Sequence, residues 1–456
     1  MLAIVTPQEM GAIDAAAPEP VDVLIDRAGA AVARAALDLL GGAYGRRVVV
    51  LAGKGNNGAD GRAAAARLEA RGVRCQVLDA ADLPASIGPV DLVIDAAYGT
   101  GFRGTFAAPD LVAGTPVLAV DIPSGVAGLT GEASGRPLRA DRTITFAALK
   151  PGLLLADGPG LAGEVEVADI GLDVSGARTH LVEPWDVGAW LPERPRSTHK
   201  WKAAVWLVAG SPGMTGAAHL AAAAAQRSGA GYVRLSVPGG GHHVDAPVEV
   251  VVVPLEAAWW DAELIDGEER FGSLAVGPGL GTGVATAAAV RATVAGTSTP
   301  VVVDGDGLRA LGDGAASAVG RRTTERPDVV LTPHDGEFEA LAGHPPVADR
   351  FAAARDLAAT TGAVVLLKGP TTVVAHPDGR VLASNAGDAR LATAGTGDVL
   401  TGLVAGLLAQ GMAPLEAAAS AALLHGAAGA LAWRRGLVAG DLVDHLPAAF
   451  DHVAGG

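Results

Sequence analysis

The sequence predicts an α/β protein of two domains, each built on a parallel sheet with helices on both faces. Three observations carry this. Short β-branched runs alternate with Ala-rich helical stretches throughout the chain, the order that parallel sheets require. At 456 residues the chain exceeds what one ordinary core holds. Between about Glu183 and Lys202 the alternation lapses into a Trp-, Pro- and Arg-rich stretch that includes Leu191-Pro192-Glu193-Arg194-Pro195-Arg196, which places the domains at 1–190 and 195–456.

Taken in order, Thr6-Pro7-Gln8-Glu9 reads as a helix start, with Thr6 as cap, Pro7 in the first turn and Glu9 returning the capping-box bond. Strands are expected from Arg47 to Leu51, Leu92 to Asp95 and Pro116 to Asp121. A second set runs from Ala204 to Ala209, Ser273 to Val276, Pro300 to Asp304, Val329 to Leu331 and Ala363 to Leu367. Ligands gather at the carboxyl ends of such strands. The end at Ala454-Gly455-Gly456 reads as frayed.

Half the residues are apolar, only 4% are aromatic and 63 are glycine, so the cores are expected to be Ala, Val and Leu with close backbone approaches. Net charge is −15, from 34 Lys and Arg against 49 Asp and Glu, and no basic block tracks a nucleic-acid backbone, which excludes nucleic acid as the expected partner. Cys75 stands alone, so the chain forms no intrachain disulfide and no metal-thiolate cluster, as fits a reducing cytoplasm. No basic leader precedes an apolar run, and no segment reaches about 18 uninterrupted apolar residues, so neither secretion nor membrane insertion is expected.

The first candidate site forms where the strand ending at Leu51 enters Ala52-Gly53-Lys54-Gly55-Asn56-Asn57-Gly58-Ala59-Asp60-Gly61, with a helix expected from about Arg62. Its glycines free the backbone to approach a ligand, and amides at a helix N-terminus favour phosphate. Alone, such a turn is as readily a tight βα connection. The side-chain oxygens of the Asn-Asn-Gly-Ala-Asp core are surplus to turn-making, however, and two further strand ends add donors: Asp95 to Gly104, and Val120-Asp121-Ile122-Pro123-Ser124-Gly125. Asn57, Asp95 and Ser124 converging at one rim suit a hard cation. Each Asp singly could be a helix cap; three such ends in one half favour a site.

From Thr6 to about Ala168 these segments, with Leu24 to Ala33 and Lys150-Pro151-Gly152, resemble the YjeF N-terminal family, the NAD(P)HX epimerases. The resemblance implies a Rossmann-like three-layer domain in which Asn56, Asn57, Gly58, Ala59 and Asp60, with Gly99, Thr100, Gly101, Phe102, Arg103, Gly104 and Thr105, hold the hydrated dinucleotide. It also implies that Asn57, Asp95 and Ser124 bind potassium and that Asp121 faces the reacting ring as the catalytic acid-base group. Ala59 stands where the family commonly has Gly. The hydroxyl-bearing ring carbon of the hydrate is labile through the neighbouring nitrogen, so one acid-base group and a pocket tolerating both faces suffice.

The strongest motif is Ala394-Gly395-Thr396-Gly397-Asp398-Val399-Leu400-Thr401-Gly402, which opens a long apolar helix. The amides of Gly395, Thr396 and Gly397 form an anion hole reinforced by the helix dipole, and Asp398 is placed to take a proton from a nucleophilic hydroxyl. An Asp that merely stabilises a helix N-terminus is the bland alternative. Upstream lie Gly210 to Ala217, Gly277-Pro278-Gly279-Leu280-Gly281, Leu331 to Phe338 and Leu367-Lys368-Gly369-Pro370-Thr371-Thr372. Lys368 is a point charge for phosphate or a solvated edge lysine. His334 reads as a buried hydrogen-bonding residue rather than a metal ligand, since no ligand-spaced His or Cys accompanies it.

From about Arg196 to Leu446 these segments are similar to the NAD(P)H-hydrate dehydratase family of the ribokinase-like superfamily. The similarity implies a ribokinase-like three-layer domain in which Lys368, Gly369, Pro370, Thr371 and Thr372 bind the adenine nucleotide, together with Asp388, Ala389, Arg390, Leu391, Ala392, Thr393, Ala394, Gly395, Thr396 and Gly397. Ala217, Gly281, Thr332, Pro333, His334, Asp335, Gly336, Glu337 and Asp398 then contact the hydrate, with Asp398 catalytic. Trp201 replaces the Gly that usually follows the His-Lys pair, here His199-Lys200, and Asp388 replaces the usual Asn. The implied partners are NADHX or NADPHX and ADP, with potassium in the first domain and magnesium arriving with ADP in the second; a cytoplasmic homo-oligomer is expected. Two rivals stay open: a small-molecule kinase of the hydroxymethylpyrimidine or sugar type, and a dinucleotide-binding protein with one inactive half. The fused first domain speaks against the former, and the presence of Asp121, Asp398 and both Gly-rich loops against the latter.

Overall fold

The computed structural model describes residues 1–241, 244–322 and 328–454; the expected frayed end at Gly455 and Gly456 lies outside them. The chain separates into two compact units, Leu2–Arg178 and Thr179 onward.

In the first unit six parallel strands lie in the order Arg74–Asp79, Arg47–Ala52, Leu92–Ala96, Val117–Val120, Arg142–Phe146 and Glu164–Ala168. Alternate residues of the central strands face opposite layers. Val48, Val50, Leu92, Ile94, Leu118 and Val120 pack on one side, and Val49, Leu51, Val93, Val117 and Ala119 on the other, so both faces are buried and the strands read as continuous apolar runs. The Val21–Leu40 and Asn56–Glu69 helices cover the first face. They cross where Gly29 abuts Ala63, an approach that a Cβ on Gly29 would block. The chain leaves Arg47–Ala52 for Arg74–Asp79 on one side and resumes at Leu92–Ala96 on the other. That reversal opens a crevice beyond the two strand ends.

The Pro7–Ala16 helix starts as expected, with Thr6 accepting from the Glu9 amide and the Glu9 carboxylate accepting from the Thr6 amide. The helix expected from Arg62 instead begins at Asn56, so most of the presumed loop is helical. Gly58 makes this possible by packing directly against the Gly53 carbonyl, where any side chain would collide.

In the second unit the strands run in the order Thr179–Leu181, Val381–Ser384, Thr372–Ala375, Val364–Leu367, Val329–Leu331, Val301–Val303, Ser273–Val276, Ala204–Val208, Tyr232–Ser236 and Val251–Val252. The sheet is parallel except where Thr372–Ala375 pairs antiparallel with both neighbours. Lys368-Gly369-Pro370-Thr371 connects two of these strands, and so short a link permits only an antiparallel return. The Thr396–Ala409 helix is buried along nearly its whole length, with Gly402 against the backbone of the Gly216–Arg227 helix and Gly406 against Ser228 at its end.

The division at 178/179 falls earlier than the expected 190/195. The Thr179–Leu181 strand pairs with Val381–Ser384, and Val187 of the Pro184–Trp190 helix joins the second core. The Trp- and Pro-rich composition around 191–196 marks a loop inside the second unit rather than its start. Trp201, unexpected for the family, stacks on Tyr232 at 4.3 Å and meets Phe271 edge-on, which accounts for it as packing.

Candidate functional site

A cavity of about 730 Å³ occupies the crevice of the first unit. Of the residues assigned to the dinucleotide, Asn56, Asn57, Asp60, Gly99, Thr100, Gly101, Phe102, Arg103 and Asp121 line it, while Gly58, Ala59, Gly104 and Thr105 do not. The Pro7–Ala16 and Val21–Leu40 helices complete the wall with Met10, Asp14 and Leu24. Tyr98 stacks on Phe102 at 4.3 Å and thereby holds the 99–102 turn against the cavity.

Asp121 follows the Val117–Val120 strand with φ of 66°, a left-handed conformation that Asp tolerates better than most residues. Its carboxylate lies 2.7 Å from the Lys150 ammonium and accepts from the Thr145 hydroxyl at 3.1 Å. Lys150 is 1% exposed and donates as well to Thr145 Oγ1 and to the carbonyls of Phe146 and Ala148. Asp60 is also buried and makes no hydrogen bond or ion pair with a described residue; burial, with Asp121 and Asp14 nearby, pushes its carboxyl up to about 8. Sequence reasoning passed over Lys150 as a site residue, and Asp14 and Thr145 altogether. A lysine in an otherwise apolar Ala147-Ala148-Leu149-Lys150 run was the available signal.

Asp95 and Ser124 are brought together. Asp95 accepts from the Ser124 hydroxyl at 2.6 Å and from the Ser124 amide at 2.9 Å, and Ser124 Oγ in turn accepts from the Tyr98 amide. Asp95 is fully buried with only neutral donors around it, and desolvation raises its pKa. Both polar side-chain atoms of Asn57 are buried without a partner, beside Gly99. A buried carboxylate lacking a counter-charge and an orphaned amide suit a cation that binds oxygen.

In the second unit the ends of three neighbouring strands meet the start of the Thr396–Ala409 helix. Asp304 follows Val301–Val303, Thr332 follows Val329–Leu331 and Lys368 follows Val364–Leu367. The Lys368 ammonium lies 2.6 Å from Asp304 Oδ1 and 3.7 Å from Glu337. Asp398, on the first helical turn, is pushed up to about 6 by burial and by the neighbouring Asp304, against the opposing pull of Lys368. The Gly395 and Gly397 amides, and that of Asp398, have no acceptor among the described residues, whereas the Thr396 amide bonds the Thr393 carbonyl. The amides free to meet an anion at this helix start are therefore those of Gly395, Gly397 and Asp398, whereas the expected set included Thr396. Thr396 turns inward because its hydroxyl donates to the carbonyls of Leu391 and Thr393. Behind it His425, which sequence reasoning missed, bonds the Thr396 carbonyl at 2.9 Å; burial lowers its pKa to about 4, so it donates as a neutral ring.

The remaining assigned residues are placed as follows. Ala217 starts the Gly216–Arg227 helix and touches Gly279, next to Gly210, and the Gly281 amide donates to Asp306. His334 is half-exposed instead of buried. It caps the Asp335–Ala342 helix, its Nδ1 accepting from the amides of Gly336 and Glu337, so its ring stands at the surface. Pro333 accepts from the Lys368 amide, and Arg350 bridges Asp335 and the Lys368 carbonyl beside Gly369. Asp388 caps the Ala389–Leu391 turn and pairs with Arg390.

These features are those of an α/β enzyme with a deep crevice in one unit and, in the other, a buried Lys–Asp pair beside free amides at a helix N-terminus. Residues 205–449 match the NAD(P)H-hydrate dehydratase family model, and residues 21–85 and 77–152 match that of the YjeF-related protein N-terminus. The bifunctional NAD(P)H-hydrate repair enzyme of Moorella thermoacetica is 37% identical over 97% of this chain and 96% of its own. That of Mycobacterium tuberculosis is 39% identical over 83% and 82%. Among solved structures, the Bacillus subtilis ADP/ATP-dependent NAD(P)H-hydrate dehydratase co-crystallised with ATP and Mg2+ matches with a TM-score of 0.51 and 32% identity, over 59% of this chain and 97% of that one. The chain belongs to the bifunctional NAD(P)H-hydrate repair enzyme family.

Proposed function

We propose that the first unit interconverts the R and S forms of hydrated NADH and NADPH, and that the second dehydrates the S form with conversion of ADP to AMP and phosphate. The carrying observation is the convergence of Lys368, Asp398 and three unpartnered amides at one helix N-terminus. Asp398 accepts the proton of the hydrate's hydroxyl as its oxygen attacks the terminal phosphorus of ADP, and the bond to AMP breaks. The free amides and Lys368 receive the charge on the transferring group. The ring nitrogen then expels phosphate, a better leaving group than hydroxide, and loss of a ring proton completes the double bond. Magnesium bound with the nucleotide would offset the charge of its phosphates. Glu337 and Asp398, the carboxylates left beside the Lys368–Asp304 pair, would help to hold it.

In the first unit Asp121, oriented by Lys150 and Thr145, is the acid-base group at the labile ring carbon. Potassium would be held by Asn57, Asp95 and Ser124, and its charge would offset that of Asp95 beside the dinucleotide's phosphates. No helix among the described residues is long and apolar enough to cross a membrane; a cytoplasmic homo-oligomer is part of the same reading, and light scattering tests its assembly. Incubation with mixed hydrate epimers and either ADP or ATP, followed by recovery of nicotinamide absorbance, tests the whole. Failure to recover both epimers with ADP would refute it.

A further inference from the structure

We propose that Asp304 is the positioning residue of the dehydration site, fixing the Lys368 ammonium beneath the Gly397 turn, and that the reaction depends on it through Lys368. The inference rests on the reading of Lys368 as a phosphate contact.

Asp304 is 3% exposed, and both of its oxygens are engaged. Oδ1 accepts from Lys368 Nζ at 2.6 Å, and Oδ2 accepts from the Thr401 hydroxyl at 2.6 Å. The carboxylate thus joins the end of one strand to the second turn of the anion-hole helix. It has almost no surface left with which to meet a substrate. Lys368 Nζ and Asp304 Oδ2 lie directly beneath Gly397, where a Cβ would stand 3.4 Å and 3.8 Å from them.

A lysine side chain carries about 2 kcal/mol of rotamer entropy and three N–H donors. Asp304 takes one donor at short range, and Glu337 at 3.7 Å lies beyond hydrogen-bond distance. Two donors therefore remain for an anion arriving at the amides of Gly395 and Gly397. The ion pair also holds Asp304 in its charged form in spite of burial. The backbone at Asp304 is fixed without the carboxylate: its amide donates to the Val276 carbonyl, its own carbonyl accepts from the Gly307 amide, and Gly277 packs directly on it. Removing the charge should therefore free the lysine and leave the strand end in place.

A double-mutant cycle on the full-length chain tests this. Asp304→Asn is expected to lower kcat for ADP-coupled dehydration by about a hundredfold, the usual effect of misplacing a group by about 1 Å, with KM for ADP changed less. Lys368→Met is expected to lose at least as much, and Asp304→Asn added to Lys368→Met should cost nothing further. Thr401→Val keeps the ion pair and removes the hydroxyl's bonds to Asp304 and to the Gly397 carbonyl; the part of its loss that acts through Asp304 should vanish in the Lys368→Met background, and this pair decides the matter if Asp304→Asn does not fold. The melting transition of the second unit, compared between each variant and the wild type, is the folding control. Multiplicative losses in the double variant, or a normal rate for Asp304→Asn beside a slow Lys368→Met, would overturn the positioning role and leave the phosphate contact standing. A normal rate for Lys368→Met would overturn both.

Discussion

Replacing Asp398 by Asn removes one carboxylate from the start of the Thr396–Ala409 helix while keeping its size and its backbone amide. With its carboxyl at about 6, the wild-type group is about nine-tenths ionised at pH 7 and about one-tenth at pH 5. Dehydration needs the ionised form, so kcat should climb roughly tenfold as pH rises from 5 through 6 and then level. His425, at about 4, stays neutral across this window, and Lys368, held above its usual range by Asp304, stays charged. The side-chain amide introduced by Asp398→Asn has no such titration. Loss of general-base help typically costs on the order of a hundredfold to ten-thousandfold, so the variant should dehydrate that much more slowly, with the climb through pH 6 gone. Nucleotide binding, measured by calorimetry, should survive because the backbone amides at positions 395, 397 and 398 are unchanged. Epimerisation should be untouched. A near wild-type rate, or a slow rate that keeps the climb through pH 6, would remove Asp398 as the base, and loss of nucleotide binding along with dehydration would mean a structural role.

Asp95→Ala should weaken epimerisation and abolish its potassium response; in thermal melts potassium should raise the Tm of the wild type alone, and an equal rise in the variant would move the cation elsewhere. Asp60 binds a proton in the folded chain between about pH 4 and 8 that the unfolded chain releases above about 4, so stability of the first unit should fall as pH rises across that window. Asp60→Asn should flatten that dependence and gain up to about 5 kcal/mol at pH 8, read by urea denaturation in potassium-free buffer; an unchanged slope would show that Asp60 is not the proton site. A fragment beginning at Thr179 should fold and dehydrate the S epimer without accelerating recovery of the R epimer. One beginning at Glu193 lacks the Thr179–Leu181 strand and the Pro184–Trp190 helix and should melt lower. Equal melting temperatures would show that this segment adds nothing to the second core.

Local chemistry that needs no partner far along the chain was legible in the residues themselves. The Thr6 capping box, the apolar strands Ser273–Val276 and Val329–Leu331, and the Gly395–Asp398 helix start all follow from neighbouring side chains and backbone preferences. So did the pairing of Asp95 with Ser124, because residues at the ends of adjacent parallel strands must share one rim. Tertiary packing decided the rest. Helix from Asn56 requires Gly58 to meet the Gly53 carbonyl, a contact invisible in a glycine count. The inward turn of the Thr396 amide, with His425 behind it, joins residues 29 positions apart. The membership of Thr179–Leu181 depends on a strand some two hundred residues away. Asp304 was visible only as a strand end; its carboxylate matters because Lys368 and Thr401, distant in sequence, close on it from two elements. Burial of a charge and the identity of its partner are properties of the assembled core, since desolvation and pairing exist only after distant segments have excluded water around them.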